Sequence, residues 1–127
     1  MCFYFKQSKT ATELQHRFNT KFDLVDAYDE NTIYNAFQFP KALVISNTES
    51  DKIQLYNWGL IPNWAKDTAI RKNTLNARIE TIHEKPSFKN SINKRCLVLA
   101  DGFYEWQWLD DKGKKKQKYL VTLPDNE

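Results

Sequence analysis

The stretch RCLVLADGFYEWQWLDDKGKKKQKYLVTL, residues 95–123, decides the fold class of this chain. The mostly apolar residues 95–100 predict one β-strand, and the alternation over 103–109 predicts a second. A third strand is predicted over 119–123. The residues DDKG at 110–113 separate the second and third strands, and these residue types favour a tight turn. The C-terminal third is therefore expected to be β-structure that contains a hairpin.

Short strands and little helix are predicted for the remainder of the chain. The aromatic run over 2–6 is typical of a strand, and TATE at 10–13 has the form of a capping box that begins a helix over 10–19. Further elements are predicted downstream: strands over 42–45 and 53–56, a loop with a short helical piece over 62–81, and a short helix over 86–92. The expected fold class is α+β, a β-rich single domain with a mainly antiparallel sheet and a few short helices.

The amino-acid composition limits the classes of protein to which this chain can belong. The chain has 127 residues, of which 41% are hydrophobic and 14% aromatic, so it can bury one core and is not a disordered chain. No apolar run approaches the roughly 20 residues of a membrane span, so no membrane contact is expected. Nineteen Lys and Arg against 16 Asp and Glu give a net charge of +3, which suits a nucleic-acid partner without requiring one. Two cysteines and a start without a leader predict a reducing, cytoplasmic location.

The last residues predict an open sheet edge. Pro124 directly follows the last predicted strand, and the sequence ends at Glu127 without an element that would cover this strand. We therefore expect residues 1–127 to be the N-terminal part of a larger domain, truncated at its C-terminus.

Cys2 carries the most distinctive chemistry, provided that Met1 is removed. An α-amine titrates at about 7.7–8.0 and a thiol at about 8.5, so both nucleophiles are partly available at neutral pH. Such a 1,2-aminothiol attacks an aldehyde through nitrogen to give an imine, and sulfur then closes a five-membered thiazolidine ring. The alternative is that Cys2 is a small apolar residue of an edge strand, and this residue alone does not decide between the two.

Two further clusters hold polar groups that suit a reactive site. In NARIET at 76–81, Asn76 offers an amide donor and acceptor and Arg78 a bidentate grip on phosphate, although a solvated loop with a surface salt bridge is the alternative. Glu105 lies among aromatic residues of a strand, where desolvation favours acid–base use of a carboxyl; the alternative is a glutamate that faces solvent. Cys96 lies in an apolar strand and is expected to be an inert core thiol.

Four tryptophans are many for a chain of this length. Exposed rings stack on the bases of single-stranded nucleic acid, whereas buried rings fill a core. We expect Trp58 in the core and Trp64 and Trp106 at a nucleic-acid surface, with Trp108 undecided. We expect the lysines of 112–118 mainly to keep the chain soluble and, as a secondary effect, to attract phosphate. Neither the cysteines nor the histidines have the paired spacing of zinc motifs, so no metal and no cofactor are expected.

Taken in order, four motifs resemble the SOS response-associated peptidase (SRAP) family. They are the opening Met1-Cys2, WGLIPNW at 58–64, NARIET at 76–81, and RCLV at 95–98 leading to DGFYEW at 101–106. The resemblance extends from residue 1 to at least residue 123. It implies a barrel-like, β-rich α+β domain.

For function, the resemblance implies a sensor of abasic sites in single-stranded DNA with an associated autoproteolytic activity. Met1 would be lost by self-processing or to an aminopeptidase, and Cys2 would then crosslink to the ring-opened abasic sugar through a thiazolidine. By motif, Asn76 would position the amine and the linkage. Glu105 would be the acid–base group and could also support strand cleavage by β-elimination. The DNA-binding residues would be Arg78, Trp64 and Trp106, and a bacterial member would associate with the nucleoid.

The sequence departs from the family in two places that matter for the chemistry. The usual Cys-Gly-Arg opening is CFY at 2–4, so an arginine beside the nucleophile is missing. The family's catalytic histidine lies in a C-terminal part beyond this chain, and neither His16 nor His83 sits in a matching motif. Two other functions stay open: a non-covalent single-stranded DNA-binding module and a thiol hydrolase of small amides. Salt-resistant attachment that depends on Cys2 would separate the crosslinking function from both.

Overall fold

The computed structural model describes residues 1–30 and 32–125. These residues form two antiparallel sheets and one α-helix, with four short 3₁₀ turns. The elements in chain order are β1 (Tyr4–Gln7), α1 (Ala11–Phe18), β2 (Thr32–Asn35), β3 (Lys41–Ser46), β4 (Gln54–Asn57), β5 (Cys96–Val98), β6 (Gly102–Trp108) and β7 (Lys116–Val121). The first sheet has the strand order β2-β1-β6-β7, and the second has the order β4-β3-β5.

This architecture confirms the α+β class with mainly antiparallel sheets and few short helices. The two sheets do not close into a barrel within the described residues, because no strand of one sheet pairs with a strand of the other there. The helices that the structure describes are too short to cross a membrane.

The helix α1 begins and ends where local chemistry requires. The Thr10 side chain accepts a hydrogen bond from the Glu13 backbone N–H at 3.1 Å, and the Glu13 carboxylate accepts one from the Thr10 N–H at 2.7 Å. This reciprocal pair is the capping box that the sequence predicts. Asn19 ends the helix in the left-handed conformation, with φ at 50°.

The strand β3 is buried on both faces and separates two apolar regions. Leu43 and Ile45 pack with Leu14 of α1 in the larger core cluster. Ala42 faces the other way, toward Phe5 and Tyr34, whose rings stack at 4.5 Å. This alternation gives the second sheet one face under the helix and one face toward the first sheet.

Asp101 fixes the start of β6 beside β1. Its carboxylate accepts hydrogen bonds from the backbone N–H of Ser8 at 3.1 Å and from the Ser8 hydroxyl. The Asp101 N–H donates to the Lys6 carbonyl at 3.0 Å. Because this carboxylate is only 10% exposed, its hydrogen bonds are protected from water, and they hold the first sheet in register.

Three sequence predictions differ from the structure. No strand was expected over 32–35, where β2 pairs with β1. The predicted helix over 86–92 is only a 3₁₀ turn at Lys89–Ser91, because its Ser and Asn residues favour local turns over a helical ladder and no side chain caps it. The predicted core thiol, Cys96, is exposed because β5 pairs with β3 on one side only and is an edge strand.

The predicted hairpin is present with an earlier return strand. β7 begins at Lys116 rather than at 119, because Trp108 pairs with Lys116 and the Leu109 N–H donates to the Lys115 carbonyl at 2.9 Å. Asp110 accepts hydrogen bonds from the backbone N–H groups of Lys114 and Lys115, at 2.8 and 3.0 Å, and Gly113 adopts φ of 62°. Of the residues expected to form the open end of the sheet, Asn126 and Glu127 lie outside the described residues.

Candidate active site

The pairing of β1 with β6 carries the N-terminus over a carboxylate. Tyr4 lies opposite Tyr104 in an antiparallel register, so the residues before Tyr4 pass over Glu105. The α-ammonium of Met1 lies 3.4 Å from Glu105 Oε1. Because both groups are partly exposed, this ion pair adds little stability, and its importance is positional.

The N-terminal segment is also held from its other side. The carbonyl of Phe3 accepts a hydrogen bond from the Ala36 N–H at 2.9 Å, and the Phe3 ring stacks on Phe37 at 4.9 Å. Cys2 is therefore held between the end of β2 and the middle of β6.

The Cys2 thiol donates a hydrogen bond to the Tyr4 carbonyl at 3.3 Å. Burial raises the pKa of this thiol above its ordinary value, and the negative charge of Glu105 adds to the rise. The contact with the Tyr4 backbone and the N-terminal ammonium act in the opposite direction but do not outweigh the burial. At neutral pH the Cys2 sulfur is thus mostly a thiol.

Asn76 and Cys2 line the same cavity, which occupies about 990 Å³ between the facing sides of the two sheets. Phe5 and Phe103 form the wall from the first sheet. Glu105 projects from the same face of β6 as Phe103, because side chains alternate along a strand. The cavity is therefore lined by apolar side chains, the Cys2 thiol and the Asn76 amide, and the Glu105 carboxylate lies at the N-terminus.

The amide nitrogen of Asn76 is buried and has no hydrogen-bond partner among the residues that the structure describes. A buried amide without a partner carries a free-energy penalty of about 1–3 kcal/mol. Such a group in a cavity wall is typical of a binding site in which an acceptor atom of the ligand satisfies the donor. Asn76 thus adds an amide donor to the cavity that Cys2 also lines.

The motif over 58–62 positions Asn76. The Trp58 indole N–H donates to the Leu75 carbonyl at 2.8 Å, and the Thr74 hydroxyl donates to the Leu60 carbonyl at 2.6 Å. Gly59 adopts φ of 108°, and a Cβ there would lie 3.0 Å from the Arg71 side chain. The glycine therefore permits a close approach of two loops that a larger residue would prevent. Trp58 packs against the core as the sequence predicts.

The remaining predicted site residues lie outside the cavity. Arg78 is exposed in a turn that closes with a hydrogen bond from the Thr81 N–H to the Arg78 carbonyl at 3.1 Å. Trp64 is 53% exposed, and its indole N–H reaches the Pro86 carbonyl at 3.4 Å. Trp106 projects from the face of β6 opposite to Glu105. The structure thus brings Cys2 and Asn76 together, places Glu105 at the N-terminal amine, and leaves the three predicted DNA-binding residues on the surface.

Neither histidine lines the cavity, and both are exposed on the described surface. Across residues 1–30 and 32–125, no three His, Cys, Asp or Glu side chains are grouped so that they could hold a metal ion.

Sequence reasoning missed one end of the cavity. It is lined by polar and basic residues from β3, the loop after it and the segment before β5, namely Ser46, Asn47, Thr48, Ser91, Lys94 and Arg95. The side chain of Asn47 bridges the two segments, because it donates to the Asn93 carbonyl at 2.9 Å and accepts from the Arg95 N–H at 3.0 Å. The polar run SNTES at 46–50, which directly follows the apolar residues 42–45, was the available sequence signal.

A family model described as SOS response associated peptidase (SRAP) matches residues 1–127. The chain belongs to the SRAP family. The four ordered motifs therefore identified the family from the sequence, and the cavity that holds Cys2 and Asn76 is the candidate site of an SRAP domain.

Several proteins are similar to this SRAP chain. YoaM of Bacillus subtilis (strain 168), named an abasic site processing protein, is 41% identical over 103 residues, which are 72% of this chain and 45% of YoaM. HMCES of Mus musculus, named likewise, is 46% identical over 81 residues, which are 59% of this chain and 23% of HMCES. A crystal structure of a protein from Bacteroides thetaiotaomicron has a TM-score of 0.84 and 41% identity, covering 98% of this chain and 55% of that one. The chain spans about half, or less, of the length of the relatives that it matches.

The unpaired amide of Asn76 predicts an unusual stability result. We expect Asn76→Ala to leave the free energy of unfolding unchanged or to raise it, because the substitution removes a buried donor that has no partner. The matched control is Thr74→Ala, which removes a buried hydroxyl that is hydrogen-bonded, and which should lower the free energy of unfolding by about 1–2 kcal/mol. Urea unfolding measures both. A loss in Asn76→Ala as large as that in the control would contradict the assignment.

The charge of Glu105 predicts a change in thiol reactivity. In Glu105→Gln the carboxylate no longer disfavours the thiolate, so the pKa of Cys2 falls and the fraction of thiolate at neutral pH rises. Alkylation of Cys2 by iodoacetamide, measured in a Cys96→Ser background, should become faster at neutral pH, with its midpoint moved to lower pH. Glu80→Gln is the control, since Glu80 is exposed and does not act on Cys2. Equal profiles for Glu105→Gln and the parent would show that the two groups are not coupled.

Proposed function

We propose that this chain captures abasic sites in single-stranded DNA through a covalent bond to Cys2. The observation that carries the proposal is the position of the N-terminus, where an α-amine, the Cys2 thiol and the Glu105 carboxylate meet beside the cavity. Support also comes from the relatives YoaM and HMCES, both named abasic site processing proteins. An abasic sugar in its ring-opened form is an aldehyde, and this is the substrate class with which an N-terminal aminothiol reacts.

The reaction first requires the Met1–Cys2 peptide bond to be hydrolysed, which consumes one water and frees the Cys2 amine. In the autoproteolytic form of this step, Cys2 Sγ attacks the Met1 carbonyl and the acyl group moves from nitrogen to sulfur. Water then hydrolyses the thioester to release methionine and restore the thiol. Glu105 holds the Met1 ammonium during this step, because its carboxylate lies 3.4 Å from that nitrogen.

The freed amine then attacks the aldehyde carbon of the abasic sugar. The carbinolamine loses one water to become an imine, with Glu105 donating the proton to the departing hydroxyl. Cys2 Sγ adds to the imine carbon while its proton passes to nitrogen, and a thiazolidine ring closes. The net change is one new C–N bond, one new C–S bond and the loss of one water.

Asn76 orients the sugar in this proposal. Its unpaired amide nitrogen donates to an oxygen of the ring-opened sugar and so fixes the aldehyde beside the amine. Arg78, Trp64 and Trp106 lie on the surface and bind the flanking strand, the arginine through phosphate and the tryptophans through bases.

The direct test is an adduct assay on single-stranded DNA with one abasic site. Protein that begins at Cys2 should give a heat-stable band on a denaturing gel, and Cys2→Ala should give none. Cys96→Ser is the matched control, because it removes the other thiol that lines the cavity and should leave the adduct intact. Asn76→Ala should slow the adduct by about 10- to 100-fold, since it removes a positioning hydrogen bond.

Binding that persists in Cys2→Ala and is lost at high salt, without a heat-stable band in either protein, would contradict the proposal. That result would instead assign a non-covalent single-stranded DNA-binding module, whose affinity falls with salt because it neutralises phosphates.

A further inference from the structure

The first sheet has a face opposite to Glu105, here called the outer face, that alternates aromatic rings with lysines. Cross-strand pairs place Tyr4 against Tyr104, Trp106 against Lys118 and Trp108 against Lys116. Side chains directly opposite each other in an antiparallel pair lie on the same face. The outer face therefore includes Tyr4, Tyr104, Trp106, Trp108, Lys116 and Lys118, together with Lys6 and Leu120.

The lysines of the outer face lie over the rings. Lys118 Nζ is 4.2 Å from the ring centroid of Tyr104 and 5.5 Å from that of Trp106. Lys116 Nζ is 5.5 Å from the ring centroid of Trp108. These are cation–π distances, so the ammonium groups are held beside the rings rather than dispersed in solvent.

The rings nevertheless remain open to solvent. Trp108 is 61% exposed and Trp106 is 37% exposed. The Tyr4 ring meets the edge of Trp106 with centroids 5.5 Å apart, which fixes the orientation of the second ring. A row of fixed, exposed rings on a sheet is a stacking surface and not a core.

The charge on this face has one sign. Among the residues of β1, β2, β6 and β7, the charged ones are Lys6, Glu105, Lys116 and Lys118. Strand alternation directs Glu105 to the opposite face and leaves the three lysines on the outer one. Lys6 lies 4.0 Å from Asp101, whereas Lys116 and Lys118 contact rings. The two lysines beside the tryptophans are thus available to neutralise an anion.

We propose that the outer face is a binding platform for single-stranded nucleic acid, distinct from the cavity that holds Cys2. Bases stack on Trp106 and Trp108, and Lys116 and Lys118 contact the phosphates between them. Residues two apart on one strand lie about 6.8 Å apart, which leaves room for a base on each ring. Four-stranded antiparallel sheets that expose aromatic rings bind single strands in this way in other folds.

The platform is continuous with the candidate active site. Tyr4 lies two residues after Cys2, and Trp106 directly follows Glu105. A strand whose abasic sugar is bound at Cys2 can therefore pass the N-terminal end of β1 and continue over the outer face. The inference rests on the proposed function for its ligand class, but the platform binds intact bases and needs no aldehyde.

The test measures the affinity of a lesion-free oligothymidylate for the chain carrying Cys2→Ala, so that no covalent bond forms. In the double variant Lys116→Gln/Lys118→Gln, the slope of log affinity against log salt should fall by about 0.7 for each lysine lost. The matched control is Lys112→Gln/Lys114→Gln, which removes the same charge from the hairpin tip and should leave the slope unchanged. Equal slopes for the two double variants would overturn the platform.

Substitution of Trp108 tests the stacking contribution. Trp108→Ala should weaken binding by about 5- to 150-fold, whereas Trp108→Tyr should retain most of the affinity because a ring remains. The Trp108 ring lies against Gly113, where a Cβ would come within 2.8 Å of it, so thermal unfolding must show that the hairpin survives in both variants. If folded Trp108→Ala binds as tightly as Trp108→Tyr, the platform is contradicted.

The experiments can disprove either proposal without disproving the other. Platform-dependent binding without a Cys2 adduct overturns the covalent proposal and supports the platform. If the adduct forms but the two double lysine variants have equal slopes of log affinity against log salt, the platform is overturned and the covalent proposal is supported.

Discussion

The antiparallel pairing of β1 with β6 is the constraint on which the rest of the site depends. It joins the first strand of the chain to residues about one hundred positions away, with Phe5 opposite Phe103. The register determines that the N-terminal amine lies over Glu105 and not over a neighbour. A slip of one residue would turn Glu105 to the outer face and Trp106 toward the cavity, because side chains alternate along a strand. Asp101 protects this register by binding Ser8 at the end of β1.

A second constraint brings Asn76 to the same cavity. The loop that carries Asn76 has no regular structure of its own, and it is held by the indole of Trp58 and the hydroxyl of Thr74. The WGLIP and NAR motifs are therefore one structural unit: the first supports the backbone from which the second presents its amide. Support of this kind places a polar group without using its own hydrogen bonds, so the Asn76 amide nitrogen stays unpaired among the residues that the structure describes.

Local patterns predicted the elements that are locally determined. The capping box at Thr10, the buried strand around Leu43 and the turn after β6 depend on neighbouring residues, and each is present. The strand β2 was not predicted because its four residues, TIYN, form a strand through pairing with β1 rather than through a pattern of their own. Cys96 was placed in the core because its strand is apolar, and only the sheet order shows that β5 is an edge.

The sequence motifs named candidate site residues but did not give their arrangement. The motifs singled out Cys2, Asn76 and Glu105, but the meeting of the amine with Glu105 depends on long-range register, which a single sequence does not encode in any local window. Because Trp106 directly follows Glu105 within a predicted strand, the sequence already implied that their side chains lie on opposite faces of the sheet. The lysines opposite the tryptophans could be recognised only once the pairing of β6 with β7 was known.

In the proposed mechanism the reactive group is an N-terminal aminothiol, and not a thiol alone. Two forms of the protein, one that begins at Cys2 and one that carries a single glycine before Cys2, should be incubated with single-stranded DNA that contains one abasic site. After heating, intact mass should show an adduct equal to protein plus DNA minus one water for the first form only. In the second form the Cys2 nitrogen is an amide, so the imine that the glycine amine forms does not close into a thiazolidine and is hydrolysed. Equal amounts of heat-stable adduct in both forms would show that the free α-amine of Cys2 is not required.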